Sequence, residues 1–360
     1  MKKRLLLVGA GHAHLEVTRQ YNEDPIENLE ICLISPSEYQ YYSGMFSGYT
    51  EGLYSEEQIR VNLRELTKKF GVNFVRKQAT HIVPDRKKLF CEGGAVYPFD
   101  VVSFDIGSRS IPYDLTTSIA RSVKPNYQFI AQINKLRETT SPIVVGGGAA
   151  GCELAISIQM YKNKNNIGGP VKLISSSEVL SAFPRRSSRK VKSLLEEAGV
   201  QLWEKEEVIH IHDDYIITSA NNRVRHTGVL WLGGPVGDPV FEEPPIKLDA
   251  NGFAYVRSTL QFEDYDYIFG AGDCVTLSSA PHIDKSGVHA VKQAPILYNN
   301  LKAYFEGEML QEYEPQKNAL YILSVGEKKG FLLYGSFSLY GRQAWKLKHK
   351  IDTDFMERYK

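Results

Sequence analysis

Two glycine-rich segments have the residue types and spacing to bind the phosphates of a dinucleotide. A glycine turn lets the backbone approach a phosphate closely, and the helix that follows presents free N–H groups and the positive end of its dipole. In each segment a short apolar run precedes the glycines and an amphipathic run follows, which predicts a strand, a tight turn and a helix. The first segment carries Gly9, Gly11 and His14 at the three pattern positions, and the second carries the complete set of Gly146, Gly148 and Gly151.

The two segments form an internal repeat. Each is followed by a buried strand with a similar ending, Ile34-Ser-Pro-Ser-Glu38 in the first copy and Ile174-Ser-Ser-Ser-Glu178 in the second. When the copies are aligned on their first glycines, Glu16 falls on Glu153. Two copies with matching strand endings indicate two nucleotide-binding units in one chain.

The ends of these strands bear on the choice of nucleotide. A dinucleotide site usually places an acid there, which binds the ribose hydroxyls. Ser35 and Ser175 stand at those positions, so a hydroxyl is available but the charge is missing. The sequence leaves NADH and NADPH open as partners of the second unit, with NADH favoured over an interaction of Arg185 and Arg186 with a 2′-phosphate.

Size and composition limit the class of protein. The 360 residues, 42% hydrophobic and 24% charged, suit two or three globular domains. A net charge of +1 without a basic stripe argues against nucleic-acid binding. The start of the chain leads straight into a strand, and no apolar run approaches the ~20 residues of a membrane span, so we expect a cytoplasmic protein. The cysteines, at 32, 91, 152 and 274, fit neither a disulfide framework nor a zinc site, and no metal site is expected.

The remaining pattern predicts an α/β protein. Parallel-type strands are expected near 4–8, 30–34, 142–145, 171–174 and 229–232, and antiparallel strands within 87–96 and 208–226. Helices are expected at 13–21, 61–70, 127–136, 149–160, 186–197 and 287–306. The aromatic and glycine-rich residues 39–48 are interpreted as a loop that either packs on the surface or forms a wall against an aromatic ring system. A Ser-, Thr- and Pro-rich linker follows Ser108, and two strands and a basic amphipathic helix, 341–359, end the chain.

Four of these elements, in this order, resemble the two-dinucleotide-fold flavoproteins of the pyridine nucleotide–disulfide oxidoreductase superfamily. They are the first glycine loop, the turn at Gly107, the second glycine loop, and Ile268-Phe-Gly-Ala-Gly-Asp273. The turn reads Asp105-Ile-Gly107 where the superfamily usually has Ala-Thr-Gly. The type II NADH dehydrogenase-like branch, which includes flavoprotein domains fused to selenide, water dikinase, is the most similar, through Gly11-His-Ala-His14, Tyr42-Ser-Gly-Met45 and the run from Lys285 to Pro295.

The resemblance implies an architecture and a set of cofactor contacts. It implies two Rossmann-like domains of three ββα layers, with the NAD(P) domain (116–235) inserted in the FAD domain (1–115 and 236–306) and a small α+β region (307–360) at the end. The implied NAD(P) contacts are Gly146, Gly148, Ala149, Gly151 and Ser175. The implied FAD contacts are Gly9, Gly11, His12, Ala13, Ser35, Pro36, Gly44, Gly107, Gly272, Asp273 and Gln293.

The resemblance also implies a reaction. Hydride would pass from NAD(P)H to FAD, and reduced FAD would pass electrons to a quinone-like or other small acceptor. Superfamily members that reduce disulfides carry two redox cysteines about five residues apart; here no two cysteines are close, so sulfide oxidation and a disulfide relay are disfavoured. The alternative is an FAD-binding redox sensor or partner protein with little turnover.

Two residues are candidates for catalysis. Glu153 matches a glutamate that lies near the nicotinamide and flavin in similar proteins, so we expect it to position NADH or relay a proton; a solvated helix carboxylate is the alternative. Lys285 could place positive charge near the reduced flavin, and an exposed surface lysine is equally compatible with the sequence.

The terminal helix, 341–359, has two interpretations. Its apolar residues fall near one face and its lysines and Arg342 make it basic, which suits peripheral contact with a membrane. The same face could instead cover its own domain or a second subunit in a homodimer.

Overall fold

Two sheets of mainly parallel strands organise the chain, whose computed structural model describes residues 2–110, 120–243, 245–316 and 318–360. The strands up to the turn at Gly107 are β1 (Lys3–Val8), β2 (Leu29–Ser35), β3 (Tyr39–Tyr41), β4 (Arg60–Asn62), β5 (Asn73–Arg76), β6 (Ala79–Val83), β7 (Lys88–Cys91), β8 (Ala95–Pro98) and β9 (Val101–Phe104). The next are β10 (Ala120–Ser122), β11 (Pro142–Val145), β12 (Lys172–Ser175), β13 (Gln201–Glu204), β14 (Val208–Ile211), β15 (Tyr215–Thr218), β16 (Arg223–Arg225) and β17 (Gly228–Trp231). The last are β18 (Ala254–Val256), β19 (Gln261–Phe262), β20 (Tyr265–Gly270), β21 (Val275–Leu277), β22 (Leu320–Ser324), β23 (Gly330–Tyr334) and β24 (Phe337–Gly341).

The α-helices connect these strands and cover the sheets. In chain order they are α1 (His12–Glu23), α2 (Phe46–Glu51), α3 (Leu63–Lys69), α4 (Phe129–Arg137), α5 (Ala149–Lys164), α6 (Arg185–Ala198), α7 (Gly287–Glu306) and α8 (Arg342–Glu357).

The order of the strands divides the chain into two interleaved units. The first sheet has the order β21-β18-β19-β20-β9-β1-β2-β5, so it joins strands from both ends of the chain. The second has the order β10-β17-β11-β12-β13, with every neighbour parallel, and its strands all lie between the two halves of the first. Each unit also carries a three-stranded antiparallel sheet, β6-β7-β8 or β14-β15-β16. The predicted α/β class and both sets of antiparallel strands are confirmed.

The apolar sequences of β1 and β11 explain their central positions in the two sheets. Leu5 to Val8 in β1 and all of β11 are buried, as expected for strands of a parallel sheet that is covered on both faces. Such runs leave no polar face for solvent. Each strand pairs with a neighbour on both sides and ends at a glycine loop at the carboxyl edge of its sheet. This arrangement places both glycine loops where ligands of open α/β sheets bind.

The structure of residues 39–48 differs from the prediction. They were expected as a loop, but they form β3, which pairs with β4, a short 3₁₀ turn and the start of α2. The aromatic side chains drive this order, because Phe46 is buried and stacks on Phe129 with ring centroids 3.8 Å apart. The segment is therefore a packed part of the fold.

Two further boundaries differ from the predictions. The helix expected at 61–70 begins only at Leu63, because Asn62 accepts hydrogen bonds from Arg64 N and Glu65 N as its N-cap, and β4 precedes it. The C-terminal region holds a third strand, β24, which the sequence analysis did not predict; its five residues are largely exposed and too few to show a clear period. The linker predicted after Ser108, and the predicted domain boundary at 115, fall partly or wholly outside the described residues.

Candidate functional site

The first glycine loop joins β1 to α1 in a sharp turn. Gly9 has a φ of +89°, and a Cβ on it would lie 2.3 Å from the Asp105 carbonyl oxygen, so only glycine fits. The Gly9 amide donates to Ile34 O at 2.8 Å, which ties the loop to β2. Gly11 is the N-cap of α1.

The second loop repeats this geometry between β11 and α5. Gly146 has a φ of +119°, a Cβ on it would lie 2.5 Å from Leu232 O, and its amide donates to Ile174 O at 2.8 Å. A Cβ on Gly151 would lie 1.8 Å from Gly146 O, so the third glycine is required here. A Cβ on Gly148, the N-cap of α5, would meet nothing within 4 Å. The predicted internal repeat is confirmed in three dimensions.

His14 fills the place of a third glycine in the first loop by joining the core. Its Nδ1 lies 2.7 Å from Gly9 O and its Nε2 lies 2.9 Å from Ser103 Oγ, and the side chain is fully buried. Because a carbonyl only accepts, Nδ1 carries the proton and Nε2 accepts from the serine. Burial lowers the pKa of His14 to about 4, so the ring is neutral at pH 7 and its role is packing.

A single cavity of about 1380 Å³ runs between the two glycine loops. It is lined by the N-terminal turns of α1 and α5, by β3 and α2, and by the C-terminal strands and α8. The residues expected at the site that line it are Gly9, Gly11, His12, Ser35, Pro36, Gly44, Gly107, Gly148, Ala149, Gly151, Glu153, Asp273 and Lys285. Ala13, Gly146, Ser175, Gly272 and Gln293 are absent from its wall.

Asp273 lies at the cavity in an ion pair that the sequence did not reveal. Lys124 Nζ lies 2.6 Å from Asp273 Oδ2 and also donates to Ser108 Oγ. Behind it, Gln293 Oε1 accepts from Gly272 N at 2.7 Å, which ties α7 to the turn that carries Asp273. Lys124 follows the linker and is 149 residues from its partner, so no local pattern marked it.

Asp105 is a second residue that the sequence did not select. It is buried directly after β9, and its Oδ2 accepts from Ala13 N at 2.8 Å and from His14 N at 3.0 Å, at the start of α1. The pKa of Asp105 is raised to about 7, and burial is the largest cause. The two backbone hydrogen bonds oppose the rise, and the nearby Asp273 carboxylate adds to it. In the sequence, Asp105 was distinguished only as a departure from the usual Ala-Thr-Gly at this turn.

Glu153 is held in the cavity wall rather than solvated on its helix. Its Oε1 accepts from Ser47 Oγ and from Ser324 N, both at 2.8 Å. Burial raises the pKa of Glu153, while Lys348 and the hydrogen bonds partly oppose the rise. The carboxyl group therefore takes up a proton at a higher pH than an exposed glutamate.

Lys285 contacts the protein more closely than the sequence suggested. Its ammonium donates to Val275 O and, at 2.8 Å, to Thr276 Oγ1, and it lies 4.2 Å from the centre of the Phe253 ring. Burial lowers its pKa. These contacts rule out the exposed surface lysine and hold its charge against β21.

The two strand-end serines occupy the same turn in each repeat. Ser35 Oγ accepts from Ser37 N, and Ser175 Oγ accepts from Ser177 N, each at 3.4 Å. Both side chains are buried, and each hydroxyl accepts from an amide of its own loop. Beyond Ser35, the residues Lys77, Gln78 and Ala79 extend the cavity wall and were missed by sequence reasoning.

The terminal helix α8 covers part of the cavity. Phe355 stacks on Tyr42 with centroids 4.4 Å apart, and Tyr42 OH donates to Asp352 Oδ1 at 3.1 Å. Lys348 donates to Asp352 Oδ2 at 2.8 Å and to Gly44 O. One side of the helix therefore packs on the rest of its own chain, which agrees with the interpretation that α8 covers its own domain. Leu347 and Ile351 remain 41% and 43% exposed.

The cysteines carry no sign of redox chemistry. All four are free, and burial raises the pKa of both Cys152 and Cys274 to about 12. A thiol with such a pKa is not a thiolate at neutral pH, even at the start of a helix. The interpretation of these two residues as small buried side chains is confirmed.

Within the described ranges, none of the helices combines the length and the apolar character needed to cross a bilayer.

Comparison with known proteins identifies relatives over nearly the whole chain. The family model described as pyridine nucleotide-disulphide oxidoreductase matches residues 3–294. The NADH dehydrogenase-like protein YutJ of Bacillus subtilis is 26% identical, over 96% of this chain and 96% of its own. A type II NADH:quinone oxidoreductase of Staphylococcus aureus is 23% identical, over 98% of this chain and 94% of its own.

Solved structures share the fold. The sulfide:quinone oxidoreductase of Aquifex aeolicus superimposes with a TM-score of 0.82 and 21% identity, covering 99% of this chain and 91% of its own. NDH2 of Plasmodium falciparum, solved with NADH, gives a TM-score of 0.82 at 14% identity and covers 100% and 98%. The predicted fold class of two dinucleotide-binding units is thereby confirmed.

Proposed function

The chain belongs to the pyridine nucleotide-disulphide oxidoreductase family, and from this premise we propose that it oxidises NAD(P)H through FAD and reduces a quinone-like acceptor. Members of this family are flavoenzymes that use FAD and NAD(P)H, so the enzyme class and cofactor pair expected from the sequence are confirmed. The relatives reported above are oxidoreductases by name, which supports the enzyme over a sensor with little turnover. The observation that carries the proposal is the single cavity lined by both glycine loops.

The described residues fit the cofactors at most positions. The glycine cradles and the cavity between them suit two dinucleotides whose reactive ends meet. FAD, when bound, accepts a hydride from NAD(P)H and passes the electrons on. We assign the FAD contacts to the eleven residues named from the sequence and the NAD(P) contacts to the five around the second loop, although Ala13, Gly146, Ser175, Gly272 and Gln293 lie behind the cavity wall. Asp105, whose carboxylate lies over the start of α1, is considered below.

The domain organisation is proposed on the same basis. An FAD domain of residues 1–115 and 236–306 would contain the first sheet, and an NAD(P) domain of residues 116–235 would contain the second. Residues 307–360 would form a third part that closes the cavity. The membership of the strands in the two sheets supports this division.

Glu153 is proposed to hold a proton where the units meet. It lies on α5 in the second unit, while its partner Ser47 lies on α2 in the first. Burial raises the pKa of Glu153, so this carboxyl takes up a proton more readily than an exposed glutamate and is placed to relay one during reduction of the acceptor or to orient the nicotinamide. Lys285 is proposed to act through charge alone, since its ammonium is already bound to β21.

NADH is proposed as the preferred donor. Ser175 is turned towards its own loop, and the cavity wall carries no arginine from the start of α6. Comparison of kcat/KM for NADH and NADPH tests this preference, and a higher value for NADPH would reverse it.

The acceptor is proposed to reach the cavity from a membrane surface. Several apolar side chains of the C-terminal region are exposed, including Phe337 at 58% exposure, and Ile351, which is one of them, also lines the cavity. Exposed basic residues of α8 adjoin these side chains, a combination that suits anionic lipid. We call the following exposed side chains the C-terminal apolar surface: Tyr334, Phe337, Leu339, Leu347 and Ile351.

Sedimentation with anionic vesicles tests the membrane contact. We expect the protein to sediment with vesicles and the double variant Leu347→Glu, Ile351→Glu to remain in the supernatant. Val96→Glu is the matched control, because Val96 is also an exposed apolar residue but lies on β8. The proposed membrane contact is contradicted if the parent protein does not sediment with vesicles or if it dimerises through this surface. Either result would favour a cytoplasmic enzyme.

An anaerobic titration tests the redox function. We expect FAD-loaded protein to lose its flavin colour on addition of NADH and to recover it on addition of a short-chain quinone. A bound flavin that neither NADH nor NADPH reduces would overturn the dehydrogenase. A panel of quinones, dyes and oxygen then ranks the acceptors.

A further inference from the structure

The two repeats differ at one equivalent position beside their glycine loops. Asp105 N donates to Val8 O at the end of β1, and Leu232 N donates to Val145 O at the end of β11. The carbonyl of each residue lies against the first glycine of its loop, Gly9 or Gly146. Asp105 and Leu232 are therefore structural counterparts, an acid in the first unit and an apolar residue in the second.

The difference changes the state of the two helix starts. A Cβ on Gly148 would meet nothing within 4 Å, so the start of α5 is open to a ligand. A Cβ on Gly11, its counterpart, would lie 2.2 Å from Asp105 Oδ1, so the carboxylate lies directly over this glycine. Asp105 Oδ2 also accepts the amide hydrogens of Ala13 and His14.

These are the groups that a dinucleotide pyrophosphate uses. The first-turn N–H groups of the helix and the glycine surface before it bind the anion in glycine-loop sites of this kind. A carboxylate has the same charge sign and accepts the same hydrogen bonds. A Cβ on Gly272, on the other side, would lie 2.8 Å from Asp105 Oδ1, so the acid stands between the two turns that should hold the flavin nucleotide.

We infer that the Asp105 carboxylate is an internal competitor for the FAD pyrophosphate, which must displace it from the start of α1 in order to bind. The inference rests on the proposed function, because it takes FAD as the ligand of the first unit. It makes FAD an exchangeable cofactor whose affinity is set by one side chain. Leu232 imposes no such competition on the nicotinamide dinucleotide.

Flavin binding to the apoprotein tests the inference. The dissociation constant of FAD, measured by flavin fluorescence or calorimetry, should fall about tenfold in Asp105→Ala, since hydrogen bonds from the helix become free for the ligand. It should fall by less in Asp105→Asn, which keeps an accepting oxygen but loses the charge. Riboflavin, which has no phosphate, should bind parent and variants equally.

The second repeat supplies the reciprocal control. Leu232→Asp should weaken binding of NADH by about tenfold and leave the affinity for FAD unchanged, because it places the acid at the other loop. Unchanged or weaker FAD binding in both Asp105 variants overturns the inference, and Asp105→Asn decides alone if Asp105→Ala does not fold. That result would leave NADH-driven reduction of the flavin intact, whereas a failure of parent and variants alike to bind FAD would overturn the proposed function too.

Discussion

Ser47 Oγ donates a 2.8 Å hydrogen bond to Glu153 Oε1, and through it the α2 helix of the first unit meets the α5 helix of the second. The same carboxylate oxygen accepts from Ser324 N in β22 of the C-terminal region. One side chain therefore joins three parts of the chain at the wall of the shared cavity. A group in that position both fixes their arrangement and faces whatever the cavity binds.

Glu153→Gln should lower turnover with NADH by about 10- to 100-fold, as expected when a positioned acid–base group is lost. Glutamine keeps the size of the side chain and an accepting oxygen, so the hydrogen bonds of Ser47 and Ser324 and the flavin content should survive. Because burial raises the pKa of Glu153, the parent rate should show an ionisation above the ordinary range of a glutamate, and the variant should lack it. Steady-state rates across pH measure both effects.

Glu16→Gln is the matched control, since Glu16 occupies the same place in the first repeat. Glu16 pairs with Arg19 and accepts from Tyr359 OH, and it is absent from the cavity wall. Its substitution should leave the rate and its pH profile unchanged. Equal loss of activity in both variants would mean that Glu153 is structural.

Lys124→Met should destabilise the protein by about 1–2 kcal/mol, the range for a hydrogen-bonded charge pair that is only partly exposed. The substitution leaves the Asp273 carboxylate without its ammonium and close to Asp105. Denaturant unfolding measures the loss. Lys329→Met, at the more exposed pair with Glu327, should lower the free energy of unfolding much less, and an equal loss at both sites would contradict the role given to Lys124.

Asp352→Ala should cost about 3 kcal/mol, because it leaves the largely buried Lys348 ammonium without its partner and removes the acceptor of Tyr42. Asp354→Ala, an exposed change on the same helix, should have little effect. If α8 is only an appendage, both variants will unfold at the same denaturant concentration. A selective loss in Asp352→Ala shows that the contacts of Asp352 with Lys348 and Tyr42 stabilise the fold.

Much of the fold could be predicted because periodicity and glycine placement are local signals. The long helix α7 falls at the expected residues, 287–306, and the repeat was visible from the two glycine loops and the matching strand endings that follow them. The prediction of a loop for residues 39–48 was wrong because their aromatic side chains serve tertiary packing, such as that of Phe46 on Phe129, and do not follow the period of a helix or strand. The prediction missed strand β24 because its five residues are too few to show a clear period.

The site was predictable where a backbone conformation demands a residue type. Gly9, Gly146 and Gly151 had to be glycine, and each could be found from spacing. Lys124 and Asp105 could not, because their roles depend on partners 149 and about 92 residues away and on burial that only the folded chain creates. A departure from the family turn at Asp105 was visible in the sequence, but its contact with α1 was not.

The groups facing Asp105 determine how FAD binding should respond to pH. They are Asp273, which is paired with Lys124, together with His14 and Cys274. Burial lowers the pKa of His14 to about 4 and raises that of Cys274 to about 12, so neither titrates near neutrality. Asp105, with a pKa of about 7, does.

The affinity of the apoprotein for FAD should therefore fall as the pH rises through about 7. Below this value Asp105 is largely protonated and a weaker competitor; above it, the carboxylate must give up its hydrogen bonds from α1 to a second anion. The loss can reach at most about tenfold per pH unit, since one proton is involved. FAD titrations between about pH 6 and pH 8 measure the slope, with Asp105→Asn expected to show none. A parent slope that persists in Asp105→Asn, or an affinity that rises with pH, would assign the titration to another group.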